Sequence, residues 1–235
     1  MVYVYMQMAA TNNNMIILHS SFEPTKDMKF SKVQKTAKGQ KIVFINLPSG
    51  GKVRVQTPVM RAPFGVSTFN DAQTGSSSMS LDLSFNGYES NERLEGFMKK
   101  CRELDDVVLN MAQQQSEELF GKSLSKEILQ EFHRPVTRDP SDPKYAPTVR
   151  LKITPYTEVY DENHQRCDPE CVTKGSSVRA IIEPSFWIVN KSFGVSLRIV
   201  QLAIVNRPAG LTGFAFAEDD EQTSEEIRDG MQFIE

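Results

Sequence analysis

The chain has 235 residues, 39% apolar and 24% charged, with a formal net charge of −3. That is the composition of a globular chain with enough residues for one sizeable core, and no apolar run approaches the roughly 20 residues of a membrane-crossing helix. The small net charge averages two regions of opposite sign: 26 bases against 22 acids up to residue 217, then one base against eight acids.

The first ten residues lack the positive flank of a secretory leader, and Val2-Tyr3-Val4-Tyr5 reads as a short strand or docking arm. Three cysteines, Cys101, Cys167 and Cys171, are too few and odd in number for a disulfide scaffold, which points to a reducing intracellular compartment. Residues 26–61 hold nine bases against the single acid Asp27. Six of them, Lys26, Lys29, Lys32, Lys35, Lys38 and Lys41, recur every third residue. Only a three-fold extended coil keeps that spacing on one side, about 9 Å apart at a rise of roughly 3.1 Å per residue. The segment therefore reads either as a rack for a phosphate backbone or as a solvated loop, within an N-terminal arm over residues 1–40.

Lys41–Leu47 and Lys52–Gln56 alternate like strands about a turn at Pro48–Gly51. Val53 and Val55 face one way and Lys52 and Arg54 the other, which predicts a half-buried hairpin with a cationic outer face that Arg61 extends. Asn70–Ser78 is Gly/Ser-rich and reads as a mobile loop, and Met79–Phe85 is strand-like again. From Ser90 the apolar period becomes helical: one long helix capped by Ser90 or Asn91 and ended by Gly121. A shorter helix starts at Ser123 and carries Leu124, Ile128 and Phe132. Strands return at residues 148–154, 177–189 and 195–205, the last two joined by a turn over Asn190–Gly194. The expected class is mainly β with a helical insert over residues 90–133: an OB-like antiparallel barrel over residues 41–213 with one long and one short helix. An acidic tail, expected to be disordered, follows over residues 214–235.

No catalytic signature is present, so no enzymatic activity, cofactor or metal is expected. His164, Cys167 and Cys171 crowd together without a recognised ligand spacing and read as a surface loop. Asp105 and Asp106 read as a solvated helix face. Aromatic residues interleave with the bases: Phe30, Phe44, Phe64, Phe69, Trp187 and Phe193. Such interleaving suits single-stranded nucleic acid, where cations follow the backbone and rings stack on bases. Phe44 and Trp187 are assigned to the core, whereas Phe30 and Phe193, the latter beside Lys191, are the favoured stacking rings. The candidate surface then comprises Lys29, Lys32, Lys35, Lys38, Lys41, Lys52, Arg54, Arg61, Lys191 and Arg198 with Phe30, Phe64, Phe69 and Phe193. The tail acids Asp219, Asp220, Glu221, Glu225, Glu226 and Asp229, followed by Phe233, suit a partner's pocket or competition for the basic surface.

Four segments, Arg61–Phe69, Leu119–Glu127, Lys144–Ile153 and Phe186–Gln201, together with the acidic, aromatic-tipped end, resemble the single-stranded DNA-binding proteins of nucleocytoplasmic large DNA viruses, a group related to the podophage replication protein. The resemblance implies an OB-fold, no enzymatic activity, coating of unwound DNA in replication and recombination, and a tail that contacts replication proteins. It also implies residence where viral DNA replicates, in the nucleus or a cytoplasmic factory. A homodimer is compatible with it.

Two other readings compete. A virion structural or scaffolding protein would use the basic segment to neutralise genome and would bind duplex and single strands alike. A nuclease would need Asp71 or Asp82 to hold a metal. If the tail mimics the polyanion, deleting residues 218–235 tightens binding to single-stranded oligonucleotides in a fluorescence-anisotropy titration; unchanged or weaker binding contradicts the mimicry.

Overall fold

A computed structural model describes residues 15–36, 40–72 and 75–209. Lys38, the start at residues 2–5 and the acidic tail with its expected disorder lie outside these residues.

The N-terminal part is a series of short strands: β1 (Ile17–Leu18), β2 (Lys29–Phe30), β3 (Gln34–Lys35), β4 (Lys41–Ile42), β5 (Ile45–Asn46), β6 (Val55–Gln56) and β7 (Met60–Arg61). A single turn, α1 (Pro24–Asp27), interrupts them. This breaks the lysine row: Lys26 pairs with Glu23 on α1, and Lys35 faces Lys41 across the β3–β4 ladder. Among the described residues no continuous extended coil forms, because Ile17, Phe22, Met28, Val43 and Ile45 each bury in the common core and pull the segment into turns. The expected hairpin over residues 41–56 is paired only at Asn46 and Lys52, while β5 pairs with β2, and β6 with β1 and a distant strand.

β8 (Val66–Asn70) and β9 (Ser77–Ser84) form a hairpin whose strands take in Asn70, Ser77 and Ser78 at the two ends of the expected Gly/Ser loop. The long helix is α2 (Glu92–Gln114), capped by the Asn91 side chain, which accepts from Arg93 N at 3.1 Å and Leu94 N at 3.3 Å. It stops at Gln115, short of Gly121. There the Gln115 amide accepts from Val33 N and donates to Ser31 O, ties to the N-terminal strands that no helical repeat could announce. α3 (Ser116–Phe120) follows and ends at Gly121, whose φ of 79° suits the left-handed cap. α4 (Lys126–Phe132) begins three residues later than expected, and buries Leu129 rather than Ile128.

β10 (His133–Arg134), β11 (Thr137–Arg138), β12 (Thr148–Ile153), β13 (Glu158–Tyr160) and β14 (Arg166–Cys167) lead to the two longest strands, β15 (Ser177–Val189) and β16 (Ser192–Asn206). β15 and β16 pair along their whole length. β15 also pairs with β7, β7 with β9, β9 with β12, and β12 with β16, so the pairings return to their start. The ladders are not all antiparallel: β10, β12 and β13 run parallel to β16. The buried face of α2 packs inside, with Phe97, Cys101 and Leu104 meeting Phe22, Val55, Ile182 and Leu197 around one small apolar cavity.

Asp105 is buried in this packing rather than solvated. Both its carboxylate oxygens accept from Val136 N, at 3.0 and 3.1 Å, and His133 Nε2 stands 3.4 Å away. It thereby fixes residues 133–138 between β16 and β12. Replacing Asp105 by Ala leaves a buried N–H without an acceptor, expected to cost about 1–3 kcal/mol of unfolding free energy in urea; a loss under about 0.5 kcal/mol, as for a surface site, contradicts this role.

Candidate nucleic-acid interface

Period-two alternation puts Leu81, Leu83, Val149, Leu151, Leu197 and Ile199 into the core, so their neighbours face outward. On β9 these are Ser78, Ser80 and Asp82; on β12, Arg150 and Lys152; on β16, Ser196 and Arg198; on β15, Glu183, Ser185 and Trp187. Cross-strand register sets them side by side: Arg150 opposite Asp82, Lys152 between Ser80 and Arg198, Ser185 opposite Ser196, Trp187 opposite Gly194.

Of these, Ser78, Ser80, Arg150, Lys152, Ser196 and Trp187 line a groove of about 440 Å³. Phe69, 67% exposed, and the half-buried Trp187 give it aromatic walls; Arg134, Arg138, Arg150 and Lys152 give it positive charge, with Ser78, Ser80 and Ser196 keeping it open between them. Through Ser78, Met79 and Lys152 it continues into a wider lobe of about 990 Å³ lined by Arg166, Arg198 and Tyr156, whose ring is 87% exposed.

The cations are held in different ways. Arg150 makes a two-pronged ion pair with Asp82, both N–O distances 2.7 Å, which raises its already high pKa. Among the described residues no carboxylate pairs with Lys152, Arg134 or Arg138. Partial burial and the neighbouring Arg150 charge lower the pKa of Arg138, with Asp82 acting against them. Arg134 donates to the carbonyls of Glu131 and His133, which directs its guanidinium along the chain. Glu183, 5% exposed, takes Arg54 Nε at 2.8 Å and Arg198 together. Burial opposes its charge, but the two arginine hydrogen bonds outweigh this and hold its carboxyl below the usual range.

Among the described residues of the expected surface, only Phe69 and Arg198 line this groove, while Arg54 reaches toward it through Glu183. Phe193 is corrected: it begins β16 with an inward side chain, 0% exposed, against Phe120, His133 and Phe186. The connection is just Asn190-Lys191, Asn190 at φ 55°, so Phe193 and Gly194 belong to the strand. Phe30 is half-buried against the core, whereas Phe44, assigned to the core, is 46% exposed between the inward Val43 and Ile45. Lys29, Lys32, Lys35 and Lys52 are exposed outside the groove; Lys41 donates to Leu119 O at 2.6 Å, and Lys191 lies 5.9 Å from the Phe132 ring. Arg61 and Phe64 are exposed near Gly175 and Gly65, again outside the lining. Arg134, Arg138, Arg150, Lys152, Tyr156 and Trp187 were not anticipated. The alternating Arg150-Leu151-Lys152 carried a signal; Arg134 and Arg138 flank Pro135 in a linker and join the site only through β10 and β11. His164 sits in a turn at φ 59°, and among the described residues no group of His, Cys, Asp and Glu is placed to hold a metal. Burial, then the hydrogen bond from Cys171, pushes the Cys167 thiol up to about 11.

The model of one protein family, "Family of unknown function (DUF5871)", matches residues 82–215, a span that holds every groove cation named above. No curated protein matches the chain. Similar solved structures include the single-stranded DNA-binding protein from bacteriophage Enc34 in complex with ssDNA, 10% identical with a TM-score of 0.45 over 77% of this chain and 98% of that one. A second structure of the single-stranded DNA-binding protein from bacteriophage Enc34 is 11% identical, with a TM-score of 0.42 over 85% and 99% of the two chains. The single-stranded DNA-binding protein gp2.5 of bacteriophage T7 is 13% identical, with a TM-score of 0.44 over 72% and 97%.

Two outcomes follow from the groove's construction. A Cβ on Gly194 would lie 2.5 Å from Arg134 O and 3.4 Å from the Trp187 ring, so Gly194→Ala must part β10 from β16. A loss of about 1–3 kcal/mol is expected in urea unfolding; full stability would show that the close approach is dispensable. The depressed carboxyl of Glu183 stabilises the fold above the unfolded glutamate pKa, and that contribution is lost as pH falls through the folded value. Wild type should therefore exceed Glu183→Gln in stability at pH 7, with the gap shrinking toward pH 3; a gap independent of pH contradicts the pairing.

Proposed function

We propose that this chain, which belongs to the family of unknown function (DUF5871), binds single-stranded DNA along the groove of its large sheet. One observation carries this reading: exposed or half-exposed rings, Phe69, Trp187 and Tyr156, share one continuous groove with Lys152, Arg134 and Arg138, cations that have no carboxylate partner among the described residues. A duplex offers phosphates but hides its base faces, so rings beside the cations favour an unpaired strand. The serines between them leave room for a backbone to lie on the sheet. The circuit of strand pairings through β15, β7, β9, β12 and β16 supports an OB-like barrel as the scaffold. Coating of unwound DNA during replication and recombination, with the acidic tail competing for the groove or engaging replication proteins, is the role in which such a surface serves best.

The test compares oligothymidylate with a duplex of equal length in anisotropy titrations across a salt series. Single strands should bind more tightly, and log affinity should fall against log salt with a slope near −4 if about six phosphates are neutralised. Trp187→Ala and Phe69→Ala should each weaken binding by about 1–3 kcal/mol, and Lys152→Gln should flatten the slope more than Lys32→Gln. Equal affinity for duplex would favour a genome-neutralising scaffold protein instead.

A further inference from the structure

The ion pair between Arg150 and Asp82 stands apart from the other charges of the groove. Arg150 lines it between Arg138 and Lys152, yet its Nε and one terminal nitrogen are both committed to Asp82 at 2.7 Å. That Nε edge is one of the two edges of a guanidinium that can hold a phosphate by two prongs. Asp82 faces it directly across the β9–β12 ladder, and its side chain is only 12% exposed, so water screens the pair less than an ordinary surface pair. Arg138 and Lys152 flank the pair in the same lining; burial, and after it the Arg150 charge, lower the pKa of Arg138, and Asp82 acts against both.

We infer that Asp82 is a built-in counter-charge that competes with DNA phosphate for Arg150 and so limits how tightly the groove holds a single strand. This rests on the groove being the binding site. A strand that takes the Nε edge of Arg150 must exchange one carboxylate for one phosphate, and one that takes the other end meets a charge Asp82 already offsets, whereas at Lys152 and Arg138 it meets cations with no carboxylate to displace. The contact at Arg150 therefore adds specific geometry but little net affinity, and the bound strand stays exchangeable. The alternative, that Asp82 serves only to aim Arg150 at the ligand, predicts the opposite sign when the carboxylate is removed.

The experiment titrates oligothymidylate and duplex into the full chain, wild type and Asp82→Asn, across a salt series, with thermal unfolding to confirm folding. Freed Arg150 should release one more counterion, steepening the slope by about 0.7, which is about fivefold tighter binding at 0.1 M salt. Adding Arg150→Gln to Asp82→Asn should return affinity to near the wild-type value. Asp82→Thr, whose branched side chain suits a strand, should reproduce the gain and serves if the Asn variant does not fold. A wild-type protein that prefers single strands, combined with Asp82 variants that bind equally or more weakly, overturns the counter-charge and leaves the groove standing. A wild-type protein with no such preference overturns the reading of the groove itself.

Discussion

The pairing of β15 with β16 is the constraint on which the rest of the molecule depends. The ladder runs from Ser177 and Asn206 to Val189 and Ser192, closed by a two-residue turn in which Asn190 adopts the left-handed conformation such turns need. Its two strands supply the remaining edges: β15 receives β6 and β7, and β16 receives β10, β12 and β13. Because side chains alternate, the register that buries Ile182, Val195, Leu197 and Ile199 also turns Trp187 and Arg198 toward the groove. A slip of one residue would exchange core and binding face together.

The groove is held from behind by groups that never line it. Asp105 on α2 holds Val136 N, and so sets Arg134 toward β16 and Arg138 toward β12. Gly194 lets the Arg134 carbonyl and the Trp187 ring approach the same point of β16. Glu183 gathers Arg54 and Arg198 from opposite sides of β15. Each contact joins segments far apart in the chain, so the positive, ring-lined surface exists only in the folded molecule.

This explains what was legible in the sequence. Alternation marked β9, β12, β15 and β16, and the helical period with Asn91 and Gly121 marked α2, α3 and the cap between them and the next helix, because these patterns are local. The break at Gln115 was not legible, since it arises from bonds to Ser31 and Val33. The lysine row was the loudest charge signal and misled: spacing in sequence does not place residues on one surface once Phe22, Met28 and Val43 are drawn into the core. Phe193 left the expected turn because that turn is two residues long rather than five, which makes it a strand residue facing the core, while Trp187 faces outward beside the buried Phe186. Arg134, Arg138 and Arg150 come together by strand pairing across gaps that no local pattern spans.

Trp187 is the only tryptophan in the chain, and it forms a wall of the groove. Its fluorescence during titration with oligothymidylate, followed alongside the anisotropy of the labelled oligonucleotide, tests the central claim most directly. Quenching that saturates at the same concentration as the anisotropy is the predicted result. Saturating anisotropy with unchanged tryptophan emission would mean that DNA is held on another surface, and would contradict the account.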